Sequence, residues 1–280
     1  MTGHVYALAG GKGGVGKTTS TVNLGAALRA AGHDTVVVDA DLAMANLGAM
    51  VDLPSGPTLH DVLAGETPLH EALVWLPTEG PSTRSPPEEG PYLVAVPGSR
   101  SLDAFADADP GDLSRVLGSL AEAADFVLCD TGAGLSHESA VPLGVADGVV
   151  VVTTPDSMAI EDAGKTIDFA AHAGGTVVGA VLTHAGEETD ISALAADLGV
   201  EMLAVVPETD AAGDEPLVET APESYAADAY ERLAATLVER GDPGTGTFAD
   251  SDLVSRSDEP DAADSTVVGR LSGMLDRSEN

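Results

Sequence analysis

Apolar residues fall into short unbroken runs separated by stretches of helical periodicity. Residues 4–9 form the first run and lead directly into Gly10-Gly11-Lys12-Gly13-Gly14-Val15-Gly16. Residues 17–31 follow, with Val22, Ala26 and Arg29 at helical spacing and Gly32 as a stop signal. Residues 35–38 are a short β-branched run that ends at Asp39. Strand, helix and strand in this order make a βαβ unit, whose strands run parallel and are covered. The alternation continues, with strands predicted at 92–96, 126–129, 148–153, 177–183 and 202–206. Helices are predicted at 110–123, 156–173, 191–198 and 222–240. The strand runs do not alternate apolar with polar residues, as expected when helices cover both faces of a sheet. The fold class predicted is α/β: one domain with a mostly parallel sheet of about seven strands and helices on both faces.

Two stretches depart from this pattern. Residues 77–91 are rich in Pro, Glu, Ser and Gly and read as a mobile surface loop inserted in the domain. Residues 241–264 are rich in Asp, Ser, Gly and Pro without periodicity and read as an acidic disordered linker. The expected organisation is therefore a domain over 1–240, the linker, and a short C-terminal segment over 265–280.

Composition narrows the class. The 280 residues are enough for one sizeable core, and 44% are hydrophobic against 3% aromatic, so that core is built from Ala, Val and Leu. No apolar run approaches the roughly 18 residues of a spanning helix; the longest, 145–152, contains Asp147. The N-terminus lacks a basic-then-apolar leader, and a cytoplasmic protein is expected. Cys129 is the single cysteine, which excludes an internal disulfide and a thiolate cluster. The seven histidines are scattered without zinc-ligand spacing. Neither a structural metal nor an iron–sulfur cluster held within one chain is expected.

The net charge is −34. It fits either an acidic surface for a basic partner or adaptation of the whole surface to a salty cytoplasm. The acids run along the entire chain, and Lys12, Lys17 and Lys165 are the only lysines. That pattern resembles proteins of halophilic archaea. Non-specific DNA binding is disfavoured, because phosphate contacts need a basic face. Two of the three lysines also lie in one glycine-rich loop, where a chain that otherwise avoids lysine has kept them.

That loop, Gly11-Lys12-Gly13-Gly14-Val15-Gly16-Lys17-Thr18, fits G-x-x-x-x-G-K-[ST] at every fixed position. Glycines let successive backbone N–H groups turn inward around phosphate oxygens. The helix that follows adds its N-terminal dipole. Lys17 can reach the β- and γ-phosphates, and the Thr18 hydroxyl can ligate Mg²⁺. Gly11, Gly13, Gly14, Val15, Gly16, Lys17, Thr18 and Thr19 are the predicted nucleotide-binding residues of a P-loop ATPase using ATP and Mg²⁺. Asp39 and Asp41 are placed just after the second strand, where ends of strands face the ligand crevice. A carboxylate there can hold the water shell of Mg²⁺ or orient an attacking water. Phe126-Val127-Leu128-Cys129-Asp130 is an apolar strand ending in an acid, the Walker B pattern, with Asp130 as a metal ligand. Thr131-Gly132-Ala133-Gly134 reads as a flexible turn after it. Gly134-Leu135-Ser136-His137-Glu138 lacks the final glycine of a G-x-S-x-G nucleophile elbow.

Lys12 adds a second signature. Lys-Gly-Gly-Val-Gly-Lys-Thr-Thr resembles the deviant Walker A motif of the MinD/ParA family, and the likeness is nearest to MinD over residues 3–240. The resemblance implies that Lys12 crosses a dimer interface to the partner's nucleotide, so that ATP drives homodimerisation. It implies that Asp41 positions the hydrolytic water and that Asp39 supports the metal, through likeness to the MinD switch I segment. Lys12, Lys17 and Asp41 are thus the expected catalytic residues. Thr131-Gly132 replaces the family's Ser-Pro in switch II. Residues 92–99, Pro207-Glu208 and Gly213-Asp214-Glu215-Pro216 resemble later family segments, which places Pro207 and Glu208 near the adenine base.

The resemblance implies an ATP-driven switch that positions other cell components, whether the division site or motility or chemosensory structures. It works through a protein partner. The alternatives are a metabolic ATP-dependent P-loop enzyme, which no substrate motif supports, and a ParA-type partition ATPase, which lacks a basic stripe here. The family's bacterial MinD ends in a membrane-binding helix. In this chain Val267, Val268, Leu271, Met274 and Leu275 fall within an arc of roughly 120° on a helix. Gly269 and Gly273 each weaken it by about 1 kcal/mol. A weak peripheral membrane contact through this segment is one expectation, and a frayed tail is the other.

Overall fold

Eight strands form a single sheet in the order β3-β4-β2-β5-β1-β6-β7-β8. The computed structural model describes residues 3–78, 80–85, 90–209 and 216–241. The expected linker beyond Gly241, the C-terminal segment over 265–280 and Gly213-Asp214-Glu215 lie outside the described residues. The strands are β1 His4–Gly10, β2 Thr35–Ala40, β3 Val74–Trp75, β4 Leu93–Val96, β5 Phe126–Ala133, β6 Gly148–Thr153, β7 Val177–Ala185 and β8 Met202–Pro207. All neighbours pair in parallel except β3, which runs antiparallel to β4 at the edge. The α-helices are α1 Lys17–Ala30, α2 Leu47–Met50, α3 Leu59–Leu63, α4 Leu102–Asp107, α5 Leu113–Ala123, α6 His137–Val145, α7 Ser157–His172, α8 Ile191–Leu198, α9 Leu217–Thr220 and α10 Tyr225–Gly241.

The unbroken apolar runs are explained by burial on both faces. Val5, Ala7 and Ala9 of β1 point into one core layer, and Tyr6 and Leu8 point into the other. The same division separates Val36 and Val38 of β2 from Val37. This is the two-residue period of a strand applied to a sheet with no wet face. One layer holds Leu113, Val116, Leu117 and Leu120 of α5. The other holds Val22, Leu24 and Leu28 of α1 with Tyr230, Leu233 and Leu237 of α10. Each such side chain, taken fully out of water, contributes roughly 1.5–3 kcal/mol before entropy is counted.

The differences from the sequence reading have local causes. The described residues form eight strands rather than about seven, because β3 is a two-residue edge strand too short to show a pattern. Trp75 also bridges to Thr83, with N–H···O distances of 2.7 and 3.0 Å. The Arg84 guanidinium donates to the carbonyls of Glu71 at 2.6 Å and Pro57 at 3.2 Å. Thus the described part of the 77–91 loop is tied back to the domain. The helix expected over 110–123 is divided into a 3-10 turn, Pro110–Asp112, and α5. Helix α6 has Pro142 inside it, which hides it from a periodicity reading. Strand β6 and helix α8 have the bounds expected. No helix among the described residues is long and apolar enough to cross a membrane.

Candidate functional site

The site is built where β1, β2 and β5 end, at the middle of the sheet. β1 lies between β5 and β6, while α1 carries the chain from β1 across β5 to β2. The crevice at the strand ends is where such sheets take ligands. The loop after β1 lies tightly on α7. A Cβ at Gly11 would sit 2.6 Å from the Asp162 carbonyl and 2.9 Å from Thr166 Oγ1. Gly16, with φ +87° and ψ +24°, is the left-handed N-cap residue of α1. It offers no side-chain cap, and the first turn of α1 has no acidic residue. The N–H groups at Lys17, Thr18 and Thr19 are therefore open to an external anion. Gly13 and Gly14 line the same loop with nothing within 4 Å of an added Cβ. Val15 is buried and anchors the loop in the core, at 3% exposure.

Two hydroxyls pin this end of the sheet. Thr183 of β7 directs its hydroxyl at the carbonyls of Val15 at 2.8 Å and Thr153 at 2.9 Å. Thr131 donates to the Leu8 carbonyl at 2.9 Å. Neither was expected from sequence, where each is one more Thr at the end of an apolar strand. Thr131, Gly132 and Ala133 continue β5 and do not form the flexible turn expected there. Ser136 caps α6 by accepting from the Ser139 N–H at 3.2 Å, the structural role of the serine set aside above as a nucleophile.

Asp39 and Asp130 face each other across neighbouring strands. Asp39 belongs to β2 itself and does not follow it, and it is in register with Asp130 of β5. Both are almost fully buried, at 0% and 2% exposure. Asp39 Oδ2 accepts from the N–H groups of Asn46 and Leu47, each at 3.0 Å. Asp130 Oδ2 accepts from the Thr18 hydroxyl at 2.5 Å. The second oxygen of each, Oδ1, is buried with no hydrogen-bond partner. Burial pushes the Asp39 carboxyl up to about 6, against the N–H bonds from Leu47 and Asn46. Burial, then the neighbouring Asp39, pushes Asp130 up to about 7. Two orphaned carboxylate oxygens beside a threonine hydroxyl are a hard-oxygen donor set that suits a divalent cation such as Mg²⁺. Thr18, Asp39 and Asp130 would hold it.

Lys17 is buried to 8% exposure, and burial lowers its pKa while Asp130 and Asp41 act to raise it. Asp41 follows β2 by one residue. Its Oδ1 accepts from the Met44 N–H at 3.0 Å, and its carboxylate packs on Gly132, where an added Cβ would be 3.1 Å away. Lys12 is half-exposed. Its ammonium meets Asp156 Oδ1 at 3.3 Å. The same oxygen caps α7 by accepting from the Met158 and Ala159 N–H groups, each at 3.1 Å. Met44, Leu135 and Met158 stand around the crevice at 72%, 49% and 65% exposure. Pro207 and Glu208 lie at the same end of the sheet but at β8, with β6 and β7 between them and β1. The structure thus brings together Gly11–Thr19, Asp39, Asp41 and Asp130, and leaves Pro207 and Glu208 at the far edge.

Residues 6–220 match the family model of the CobQ/CobB/MinD/ParA nucleotide binding domain. The chain is 36% identical over 241 residues to an ATP-binding protein of Methanocaldococcus jannaschii, covering 83% of this chain and 86% of that one. Its structure resembles the cell division ATPase MinD of Pyrococcus furiosus with TM-score 0.76 at 31% identity, over 85% of this chain and 99% of that one. The septum site-determining protein MinD of Pyrococcus horikoshii, solved with Mg-ADP, matches with TM-score 0.76 at 30% identity, over 88% and 99% of the two chains.

Proposed function

The chain belongs to the CobQ/CobB/MinD/ParA family of nucleotide-binding domains, and from that premise we propose that it is a MinD-like ATPase. It binds Mg-ATP, dimerises on it, hydrolyses it to ADP and phosphate, and acts as a switch that positions other cell components. The observation that carries this reading is the orphaned Asp39–Asp130 pair beside Thr18 and the glycine-rich loop. Two buried carboxylate oxygens without partners are costly unless a cation completes them. The likeness to a cell division ATPase and to a septum site-determining protein supports the positioning role.

The chain's own residues have distinct tasks. Backbone N–H groups from Gly13 to Thr19 surround the phosphates, and the α1 N-terminus favours their charge. Lys17, at the start of α1 and within electrostatic reach of Asp130, neutralises the β- and γ-phosphates with its ammonium. Thr18, Asp39 and Asp130 would hold Mg²⁺, which when bound would supply charge neutralisation to the phosphates. Asp41, one residue beyond β2 and packed on Gly132, orients the attacking water. Lys12 lies outside its own phosphate cradle, on Asp156. That placement agrees with a task in the partner's site rather than its own. Exposed Met44, Leu135 and Met158 supply apolar contact for a second copy. Pro207 and Glu208 border the adenine base.

The remaining proposals concern surroundings. The ATPase domain spans 1–240, with an acidic linker to 264 and a C-terminal segment that contacts a partner or, weakly, a membrane. The protein is cytoplasmic, works with a protein partner, uses neither DNA nor an iron–sulfur cluster, and its charge of −34 suits a salty cytoplasm. The test is nucleotide binding and phosphate release by two lysine variants. Lys17→Ala should lose nucleotide affinity by about 100-fold or more. Lys12→Ala should keep ATP affinity and lose about 1000-fold in turnover, the scale of a charge supplied in trans. Equal loss of ATP affinity in both would remove the distinct role given to Lys12.

A further inference from the structure

We propose that His60 is a positioning residue for ATP hydrolysis, the strut that holds the backbone carrying Asp41. This rests on reading Asp41 as the residue that orients the attacking water. His60 is fully buried on α3, a five-residue helix far in sequence from the glycine-rich loop. Both of its ring nitrogens are engaged. Nδ1 accepts from the Ser99 N–H at 2.9 Å, so it carries no proton. The neutral ring then has its proton on Nε2, which donates to the Leu42 carbonyl at 2.8 Å.

Those two bonds join the site from behind. Leu42 follows Asp41, and its carbonyl, in the Leu42–Ala43 peptide, lies within the turn that the Met44 N–H closes onto the Asp41 carbonyl at 3.3 Å and Asp41 Oδ1 at 3.0 Å. Ser99 belongs to the strap Pro97-Gly98-Ser99 that follows β4. A Cβ on Gly98 would lie 2.6 Å from Ala45 Cβ and 3.2 Å from the Asp39 carboxyl carbon, so the strap packs directly on that carboxylate. Helix α3 is itself held to that strap, since the Leu59 N–H donates to the Pro97 carbonyl at 2.7 Å. A capping box of Thr58 and Asp61 fixes its start. Thus the segment bearing the water-orienting carboxylate is tied, through one imidazole, to the strap that supports the metal-site carboxylate. No other side chain hydrogen-bonds to Leu42 O among the described residues. A displacement of about 1 Å at a reacting group can cost on the order of 100-fold in rate, so a strut of this kind acts on turnover rather than on ATP affinity.

Two substitutions separate the arms. Asn places its amide where Nδ1 lies and keeps the Ser99 bond. Gln reaches the place of Nε2 and keeps the Leu42 bond. Single-turnover hydrolysis at saturating Mg-ATP, with affinity read from a fluorescent ATP analogue, is measured for both in the full-length protein. His60→Asn should lower turnover by about 10- to 100-fold while ATP affinity changes by less than about threefold. His60→Gln should turn over at least about tenfold faster than His60→Asn. In an Asp41→Ala background, His60→Asn should change the residual turnover by less than about twofold, because its effect passes through Asp41. Equal losses in the two variants, or affinity and turnover falling together, would make His60 a packing residue and overturn the proposal. If His60→Asn does not fold, His60→Gln alone decides: turnover within about tenfold of the native protein supports the strut, and a larger loss overturns it. If Asp41→Ala by itself retains turnover, the reading of Asp41 fails and the strut fails with it. Loss in Asp41→Ala with silent His60 variants sinks only the strut.

Discussion

Two buried polar regions, one on α3 and one at the ends of β2 and β5, are finished in opposite ways. At α3, His60 is wholly enclosed, and each ring nitrogen has its partner. At the ends of β2 and β5, Asp39 and Asp130 are just as enclosed, yet each keeps one oxygen without a partner. A satisfied buried group is scaffold, since nothing further is needed to stabilise it. An unsatisfied one costs free energy in the empty protein that a ligand can recover. The contrast distinguishes the residues that hold the site from those that meet the ligand.

The largest effect is expected on the unfinished side. Asp130→Asn removes the proposed metal ligand and should lower Mg²⁺-dependent phosphate release by about 100-fold or more. The same variant relieves a buried charge, so the empty protein should not lose thermal stability. A fall in both activity and melting temperature would mean that Asp130 is scaffold after all.

A pH series sharpens the same contrast. Asp39 and Asp130 sit at about 6 and about 7 in the fold, above an ordinary carboxyl at about 4 in an unfolded chain. The folded state therefore binds more protons between these values. Their stabilising contribution is complete below about pH 4 and is lost as pH rises through 6 to 7. The melting temperature of the nucleotide-free protein should fall more between about pH 5 and about pH 8 than that of Asp39→Asn or Asp130→Asn. Added Mg-ADP should offset the loss at the higher pH. Parallel pH curves for native and variant proteins would contradict the raised carboxyl groups.

Parts of this contrast were legible in the chain and parts were not. The loop from Gly11 to Thr18 shows itself by fixed spacing, because backbone conformation there requires glycine and the chemistry requires Lys17. Asp39 and Asp130 could be placed at strand ends from local pattern. Their facing each other is a matter of register between β2 and β5, strands 91 positions apart by the Asp39–Asp130 pairing, and no local pattern carries it. β5 runs on through Thr131 and Gly132 where glycine reads as a turn, since the Thr131 hydroxyl ties it to Leu8. His60 and Thr183 leave no trace in spacing. Their partners are backbone carbonyls and an N–H, which every residue has.

The smallest effect is expected at Lys12, outside both regions. Its ion pair with Asp156 is half-exposed, where water and salt screen it. Asp156→Asn should free Lys12 and lower the ATP concentration needed for dimerisation by no more than about fivefold. A rise in that concentration would instead show that Asp156 is needed in the dimer.

The most direct test of ATP-driven dimerisation is sedimentation of the Asp41→Ala protein in molar salt, first with Mg-ATP and then with Mg-ADP. Unable to orient water, it should persist as a dimer with Mg-ATP and be a monomer with Mg-ADP. A monomer with both nucleotides, at concentrations where binding is saturated, would contradict the switch.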